Sequence, residues 1–144
     1  MGVLDWLFGT REPPVTEHDH AILGKLTYDP DPGVWAVVVG QSGSTVRLSV
    51  GGGSTPDEAC LESAVAVHER LSSFLSELGE YLEGEAGRQE AAASEIRALK
   101  CSEIAYWWVK KPDHAMLFFD GPSEERQWHC DYVKSQFTGL VYDG

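Results

Sequence analysis

Aromatic side chains are concentrated in residues 101–144, which carry three of the five Trp, three of the five Tyr and three of the five Phe. They fall in short runs with β-branched neighbours, and turn-like segments rich in Pro, Gly and Asp separate the runs. This pattern is typical of β-strands and predicts strands over 102–109, 115–120, 126–133 and 138–142. A sheet this aromatic needs a covering surface, because burial of each large side chain contributes about 1.5–3 kcal/mol.

Three further strands are predicted before the middle of the chain, over 21–29, 34–40 and 44–50. The segment 30–33, Pro-Asp-Pro-Gly, is a strong turn signal between the first two. Residues 34–39 are apolar on both faces, as expected of a central strand. In 44–50, apolar residues alternate with polar ones, which indicates a strand with one face in solvent.

A helical segment follows the triple glycine 51–53. Thr55 is a good N-cap, Pro56 suits the first helical position and Glu58 can complete a capping box. Apolar residues then recur at steps of three and four, which predicts a long amphipathic helix up to the glycines at 84 and 87. Its expected buried stripe comprises Leu61, Ala64, Val65, His68, Leu71, Phe74, Leu75, Leu78 and Leu82. A shorter helix is predicted over 88–100.

These elements predict an α+β fold. We expect an antiparallel sheet of about seven strands, in the order β-β-β-α-α-β-β-β-β, with the long helix packed on one face. Residues 21–144 would form this single domain. Residues 1–20 would form a short apolar helix over 3–8 and a polar tether, and residues 3–8 could dock on the same chain or join two copies in a homo-oligomer.

The chain has two pairs of adjacent aromatic residues, and the two members of a pair cannot both lie under the helix. Neighbours in a strand point to opposite faces, so one residue each of Trp107-Trp108 and of Phe118-Phe119 is expected on the far face. That face is the predicted contact surface.

The charge is strongly acidic, with a formal net charge of −12. Residues 55–100 alone carry ten Asp and Glu against four Lys and Arg. Such a surface repels nucleic acid and anionic membranes and favours a basic protein partner. Three widely spaced cysteines and the lack of a secretory signal favour a reducing, cytoplasmic location.

Candidate chemical groups are few. His18 and His20 offer metal-ligand atoms on one side of an extended segment, but no second ligand pair accompanies them, so neither a metal nor another cofactor is expected. Asp120, His129 and Asp131 could supply a base and its orienting group across a hairpin. No nucleophile completes this set, so we expect a protein that is not an enzyme.

The sequence also resembles a family of small bacterial proteins of unknown function. The resemblance spans roughly residues 20–143. It rests on Leu-Gly-Lys-Leu-Thr-Tyr-Asp at 23–29 with Trp35, on Thr-Pro-Asp-Glu-Ala at 55–59, and on the ending 131–133 with 139–143. Related families are presumed immunity proteins of toxin systems. The resemblance therefore implies a binding role in which the acidic surface masks a toxin, and it supplies no catalytic residues.

Two functional interpretations follow. The first is a cytoplasmic, immunity-like interaction module that holds a protein partner through acidic and aromatic surface. The alternative is a small-molecule-binding protein or hydrolase with its site near Asp120, His129 and Asp131. The candidate binding residues of the two interpretations together are Trp107, Trp108, Asp120, Trp128, His129, Asp131 and Tyr132.

Overall fold

Strands lie in the sheet in the same order as along the chain, so each strand neighbours the one before it and the one after it. This is the arrangement in the computed structural model of the chain, which describes residues 16–41 and 43–143. The eight strands are β1 (Glu17–His20), β2 (Gly24–Asp29), β3 (Val34–Gln41), β4 (Ser44–Val50), β5 (Lys100–Tyr106), β6 (His114–Asp120), β7 (Gln127–Val133) and β8 (Gln136–Asp143). The expected α+β class is confirmed.

All helices of the described ranges lie between β4 and β5. They are α1 (Glu58–Glu69), α2 (Leu71–Arg88) and the short α3 (Ala93–Arg97), and a 3-10 turn at Glu90–Ala92 precedes α3. Because the chain crosses the sheet through these helices, β4 and β5 run parallel, with Leu48 opposite Ile104. Every other neighbouring pair of strands is antiparallel, so the sheet is mixed rather than antiparallel throughout as expected.

The sheet has one face under the helices, here called the helix face. Four side chains form a row across its centre: Leu48, Ile104, Leu117 and Cys130 stand opposite one another on consecutive strands. Each is at most 1% exposed. Leu61, Phe74, Leu78 and Leu82 of the helices belong to the same buried cluster. The apolar stripe expected for the helical segment therefore packs on the sheet.

The long helix of the sequence interpretation is divided in two. Arg70 separates α1 from α2 and has non-helical φ and ψ of −125° and 30°. Its guanidinium donates to Tyr132 Oη at 2.8 Å and pairs with Glu77 at 2.6 Å. The apolar spacing runs through the break because only one residue leaves the helical conformation.

The start of α1 also differs from the expected one. Asp57, rather than Thr55, is the N-cap, and its Oδ2 accepts a hydrogen bond from Cys60 N at 3.0 Å. Pro56 instead forms an isolated bridge with Gly52. A Cβ on Gly51 would collide with the carbonyl oxygen of Trp107, so the glycine lets this turn lie against the end of β5.

The N-terminal side of the sheet begins earlier than expected. Glu17–His20, interpreted above as part of a tether, is strand β1 and pairs with β2. The strand predicted over 21–29 begins at Gly24, because residues 21–23 form the turn between β1 and β2. His20 Nδ1 stabilises that turn by accepting the backbone N–H groups of Ile22 and Leu23, at 3.1 and 3.2 Å. The described sheet therefore has eight strands rather than about seven.

The two outer strands of the described sheet differ. In β8, Leu140 N donates to Tyr81 Oη at 3.1 Å, and Gln89 Nε2 donates to Leu140 O at 3.4 Å. Gly139, with φ of +72°, lies beside a register shift in this strand. Helix side chains and an irregular register therefore protect β8, as is common at sheet edges. At β1 no described strand or side chain makes such contacts with the outer edge.

The predicted helix over residues 3–8 lies outside the described residues. Among the helices that are described, none combines the length and the apolar composition needed to span a membrane.

The two candidate N-caps can be separated by mutation. Asp57→Ala should lower the free energy of unfolding by about 1 kcal/mol, because an N–H in the first turn of α1 loses its acceptor. Thr55→Ala, the matched control, should change it by less than about 0.5 kcal/mol. Urea unfolding followed by circular dichroism measures both. Equal losses in the two variants would contradict the assignment of Asp57 as the cap.

Candidate functional site

A groove of about 640 Å³ lies between β1 and α1 on the helix face. It is here called the β1–α1 groove. One wall comes from β1 and the turn after it, and the other from α1 and the loop before it. Its lining residues are His18, His20, Ile22, Thr55, Pro56, Glu58, Leu61, Glu62, Val65, Ala66 and Glu69.

Apolar side chains form much of the groove. Leu61 is buried and Val65 is half-buried, while Ile22 on the opposite wall is 50% exposed. Exposed apolar surface between two polar rims is typical of a binding groove.

Carboxylates stand along the α1 wall. Glu58, Glu62 and Glu69 are all exposed, and none forms an ion pair within residues 16–41 and 43–143. By contrast, the five arginines of these ranges all pair with a carboxylate: Arg47, Arg70, Arg88, Arg97 and Arg126. The groove therefore presents negative charge that no described cation neutralises.

The two histidines proposed from the sequence lie on the β1 wall. His18 and His20 both line the groove, which agrees with the expected common side of an extended segment. The His18 ring packs edge-on against Trp35, with centroids 6.3 Å apart. His20 Nδ1 accepts two backbone N–H groups, which leaves Nε2 as the remaining ring nitrogen. No group of three His, Cys, Asp or Glu in the described part of the chain could hold a metal ion.

The opposite side of the sheet is here called the open face, because no helix of the described ranges packs on it. A polar chain crosses it: Arg47 bonds to Asp29 at 3.0 Å and lies 3.6 Å from Glu103, which accepts a hydrogen bond from Ser49. Trp107 Nε1 in turn donates to Ser49 Oγ at 2.8 Å. The hydrogen bond from Arg47 holds the pKa of the Asp29 carboxyl below its usual value. The Asp29 and Glu103 carboxylates of this network accept hydrogen bonds from Arg47 and Ser49, while Arg47 Nε is buried without a hydrogen-bond partner among the described residues.

The Phe118-Phe119 pair separates as the strand geometry requires, whereas Trp107 and Trp108 lie beyond the end of β5 at Tyr106, which is earlier than the end predicted at residue 109. Phe119 is buried on the helix face, whereas Phe118 stands on the open face and packs against Trp107, with centroids 5.4 Å apart. Trp108 follows the end of β5, is 38% exposed and contacts His114. A shallow pocket of about 470 Å³ lies between the two tryptophans and Lys110 and Lys111.

The three polar candidates of the hydrolase interpretation share the open face but are not joined. His129 Nε2 bonds to Asp143 Oδ2 at 3.1 Å, and Asp131 Oδ1 bonds to His114 Nε2 at 3.2 Å. Asp120 stands opposite Lys100 at the end of β6. The geometry therefore gives two separate histidine–carboxylate pairs, neither of which is hydrogen-bonded to a hydroxyl or thiol of the described residues.

Trp128 and Tyr132 belong to the core, not to an exposed surface. Trp128 is 1% exposed, and its Nε1 donates to Glu95 at 2.8 Å. Tyr132 is 6% exposed and packs against Phe74, with ring centroids 5.0 Å apart. Both point to the helix face because they alternate with His129 and Asp131 along β7.

The acidic wall was missed at the level of sequence, although its signal was present. Glu58, Glu62 and Glu69 fall at i, i+4 and i+11, a spacing that returns to one face of a helix. The same face includes Val65 and Ala66. For the wall formed by β1, the sequence placed His18 and His20 on one side of an extended segment but did not predict a strand, because all four residues of Glu17–His20 are polar.

Cysteine chemistry is disfavoured by burial. Burial raises the pKa of the Cys60 thiol to about 11 and that of Cys101 to about 12, and it also raises the pKa of Cys130. Cys60 and Cys130 are at most 1% exposed. Protonated, inaccessible thiols are poor nucleophiles.

This burial predicts slow thiol modification. At pH 8 the folded chain should react with Ellman's reagent far more slowly than the chain in 6 M guanidinium chloride, in which all three thiols should react at once. The raised pKa values keep the thiolate fraction low in the folded chain, and burial blocks access to Cys60 and Cys130, while Cys101 is half-buried. The absorbance at 412 nm over time measures this, and a rapid stoichiometric reaction of the folded chain would contradict it.

Comparison with known proteins gives no relative from which a role could be taken: no protein-family model, no curated protein and no solved structure matches this chain.

Proposed function

We propose that this protein is a non-enzymatic, cytoplasmic interaction module that binds a basic, amphipathic segment of a protein partner in the β1–α1 groove. The observation that carries the proposal is an apolar groove whose α1 wall holds three carboxylates without a described cationic partner. Apolar surface supplies the affinity of such a site, and the carboxylates select the charge of the partner.

Lysine and arginine side chains fit this combination well. Their aliphatic stems can lie on apolar surface while their charged ends reach a rim of carboxylates. In the β1–α1 groove, the stems would cover Val65 and Ile22, and the charged ends would reach Glu58, Glu62 or Glu69. The net charge of −12 would also raise the rate at which a basic partner is encountered.

An immunity-like role is the specific form of this proposal. The family resemblance implies a toxin as the partner, and a basic segment of a toxin would meet the acidic wall of α1. The segment would be masked while it occupies the groove.

The acidic wall can be tested with matched charge variants. The triple variant Glu58→Gln, Glu62→Gln, Glu69→Gln should bind a fluorescein-labelled decapeptide of five Lys and five Leu about tenfold more weakly than the natural chain, because exposed ion pairs contribute up to about 1 kcal/mol each. The control Glu90→Gln, Glu124→Gln, Glu125→Gln removes equal charge from exposed positions outside the groove. Fluorescence anisotropy measures both. Equal losses in the two triple variants would mean that only net charge matters and would contradict the groove.

The apolar part is tested by Ile22→Ser. This change should weaken binding of the same peptide several-fold while leaving the melting temperature nearly unchanged, because the side chain is 50% exposed in the free chain. Val38→Ser on the open face, where Val38 is 65% exposed, is the matched control and should leave binding as it is. Loss of affinity in the control alone would place the contact on the open face instead.

Other occupants of the groove give distinct results. If residues 3–8 of the same chain fill it, a chain lacking residues 1–12 should bind the peptide much more tightly than the full chain. If a second copy fills it, light scattering should show a dimer that the Ile22→Ser variant dissociates. Either result would contradict a partner protein as the natural occupant.

A further inference from the structure

We propose that the bound segment is an extended strand that pairs with the outer edge of β1 as a ninth strand of the sheet. This inference rests on the proposed function, since it specifies how the β1–α1 groove is occupied. Strand addition to a free sheet edge is a recurrent mode of peptide recognition, in which backbone hydrogen bonds supply affinity and alternate side chains supply specificity.

The register of the first hairpin shows which backbone groups are free. Glu17 stands opposite Thr27, and Tyr28 N donates to Thr16 O at 2.8 Å. Hydrogen-bonded and non-hydrogen-bonded pairs alternate along an antiparallel ladder. His18 and His20 therefore exchange hydrogen bonds with β2, and the N–H and C=O groups of Glu17 and Asp19 point outward. No strand within residues 16–41 and 43–143 takes up these groups.

Side chains alternate across β1 in the way that strand addition requires. His18 and His20 line the β1–α1 groove, while Glu17 and Asp19 point to the other side and are exposed. An added strand would therefore direct every second side chain toward the groove and the α1 carboxylates. The intervening side chains would lie beside Glu17, which already pairs with Lys25 at 3.1 Å, and beside the exposed Asp19, which favours a basic residue next to it.

Spacing along the groove suits an extended segment. Glu58 and Glu62 are about 6 Å apart along the axis of α1, at 1.5 Å per residue. Side chains on one face of a strand repeat every ~6.8 Å. The two spacings match, so two basic residues at i and i+2 of an added strand that runs along α1 can face these two carboxylates in turn.

The opposite edge of the sheet is unsuited to the same role. Tyr81 and Gln89 occupy the backbone groups of Leu140 in β8. Among the described strands, β1 is thus the edge that combines free backbone groups with an adjoining groove.

Two peptides of identical composition test the mode of binding. One decapeptide alternates Leu and Lys, which favours a strand, and its isomer repeats them with helical spacing, since patterning selects the secondary structure. We expect the natural full-length chain to bind the alternating peptide at least tenfold more tightly in fluorescence anisotropy. Equal affinity, or tighter binding of the helical isomer, would overturn strand addition.

A proline in β1 tests the backbone contact. Asp19→Pro removes an outward N–H, and proline is tolerated at an edge strand where that group faces solvent. Affinity for the alternating peptide should fall at least fivefold, since a net hydrogen bond is lost and the ring obstructs the edge. Asp19→Asn is the control for charge, and it should lose less than threefold. Equal effects of the two substitutions would count against the proposal.

Peptide chemistry gives the same test without altering the protein. N-methylation of alternate residues blocks one set of amides in the peptide, and methylation of the other residues blocks the second set. Methylation of one set of amides should abolish binding and methylation of the other set should not, because only one side of an added strand faces β1. If both methylated peptides bind as well as the parent, and Glu58→Gln, Glu62→Gln, Glu69→Gln still weakens them, strand addition is wrong while the groove remains the binding site. If that triple variant binds every peptide as its control does, the proposed function itself is wrong.

Discussion

The parallel pairing of β4 with β5 determines the rest of the described structure. Two parallel neighbours cannot be joined by a tight turn, so the chain must cross the sheet between them. That crossing holds α1, α2 and α3, and it places them all on one face above Leu48 and Ile104. It also sets α1 against the β1 side of the sheet, which creates the groove. The open face of the described sheet is a consequence of the same crossing.

Charge has different roles on the two faces. On the open face, Arg47 pairs with Asp29 and Glu103, so the charge of these two carboxylates is neutralised within the chain. In the groove, Glu58, Glu62 and Glu69 have no such partner in the described ranges, and their carboxylates are exposed to solvent. The position of a carboxylate therefore indicates its role. On the open face the carboxylates pair within the chain, and in the groove they are available to a binding partner.

Local periodicity accounts for what could be predicted from the sequence. The helical stripe and most strands were found because apolar residues repeat at 3.6 or 2 positions, and these repeats survive in the fold. Strand β1 was not predicted from the sequence, because its residues Glu17–His20 are all polar. Its strand conformation is defined by pairing with β2. The break at Arg70 depends on Tyr132, distant in sequence. The groove was not predicted either, because its walls come from segments that are distant in sequence and that only the register of the sheet brings together.

The protected edge of β8 limits how copies of this chain could join. Sheets polymerise when the last strand of one molecule accepts the first strand of the next, in an unending head-to-tail series. Here Tyr81 and Gln89 already hold Leu140, so one end of that series is closed. Pairing of two copies through β1 alone would stop at a twofold dimer, because it leaves only closed edges outside. An open β1 edge among the described strands is thus compatible with a chain that does not grow into fibres.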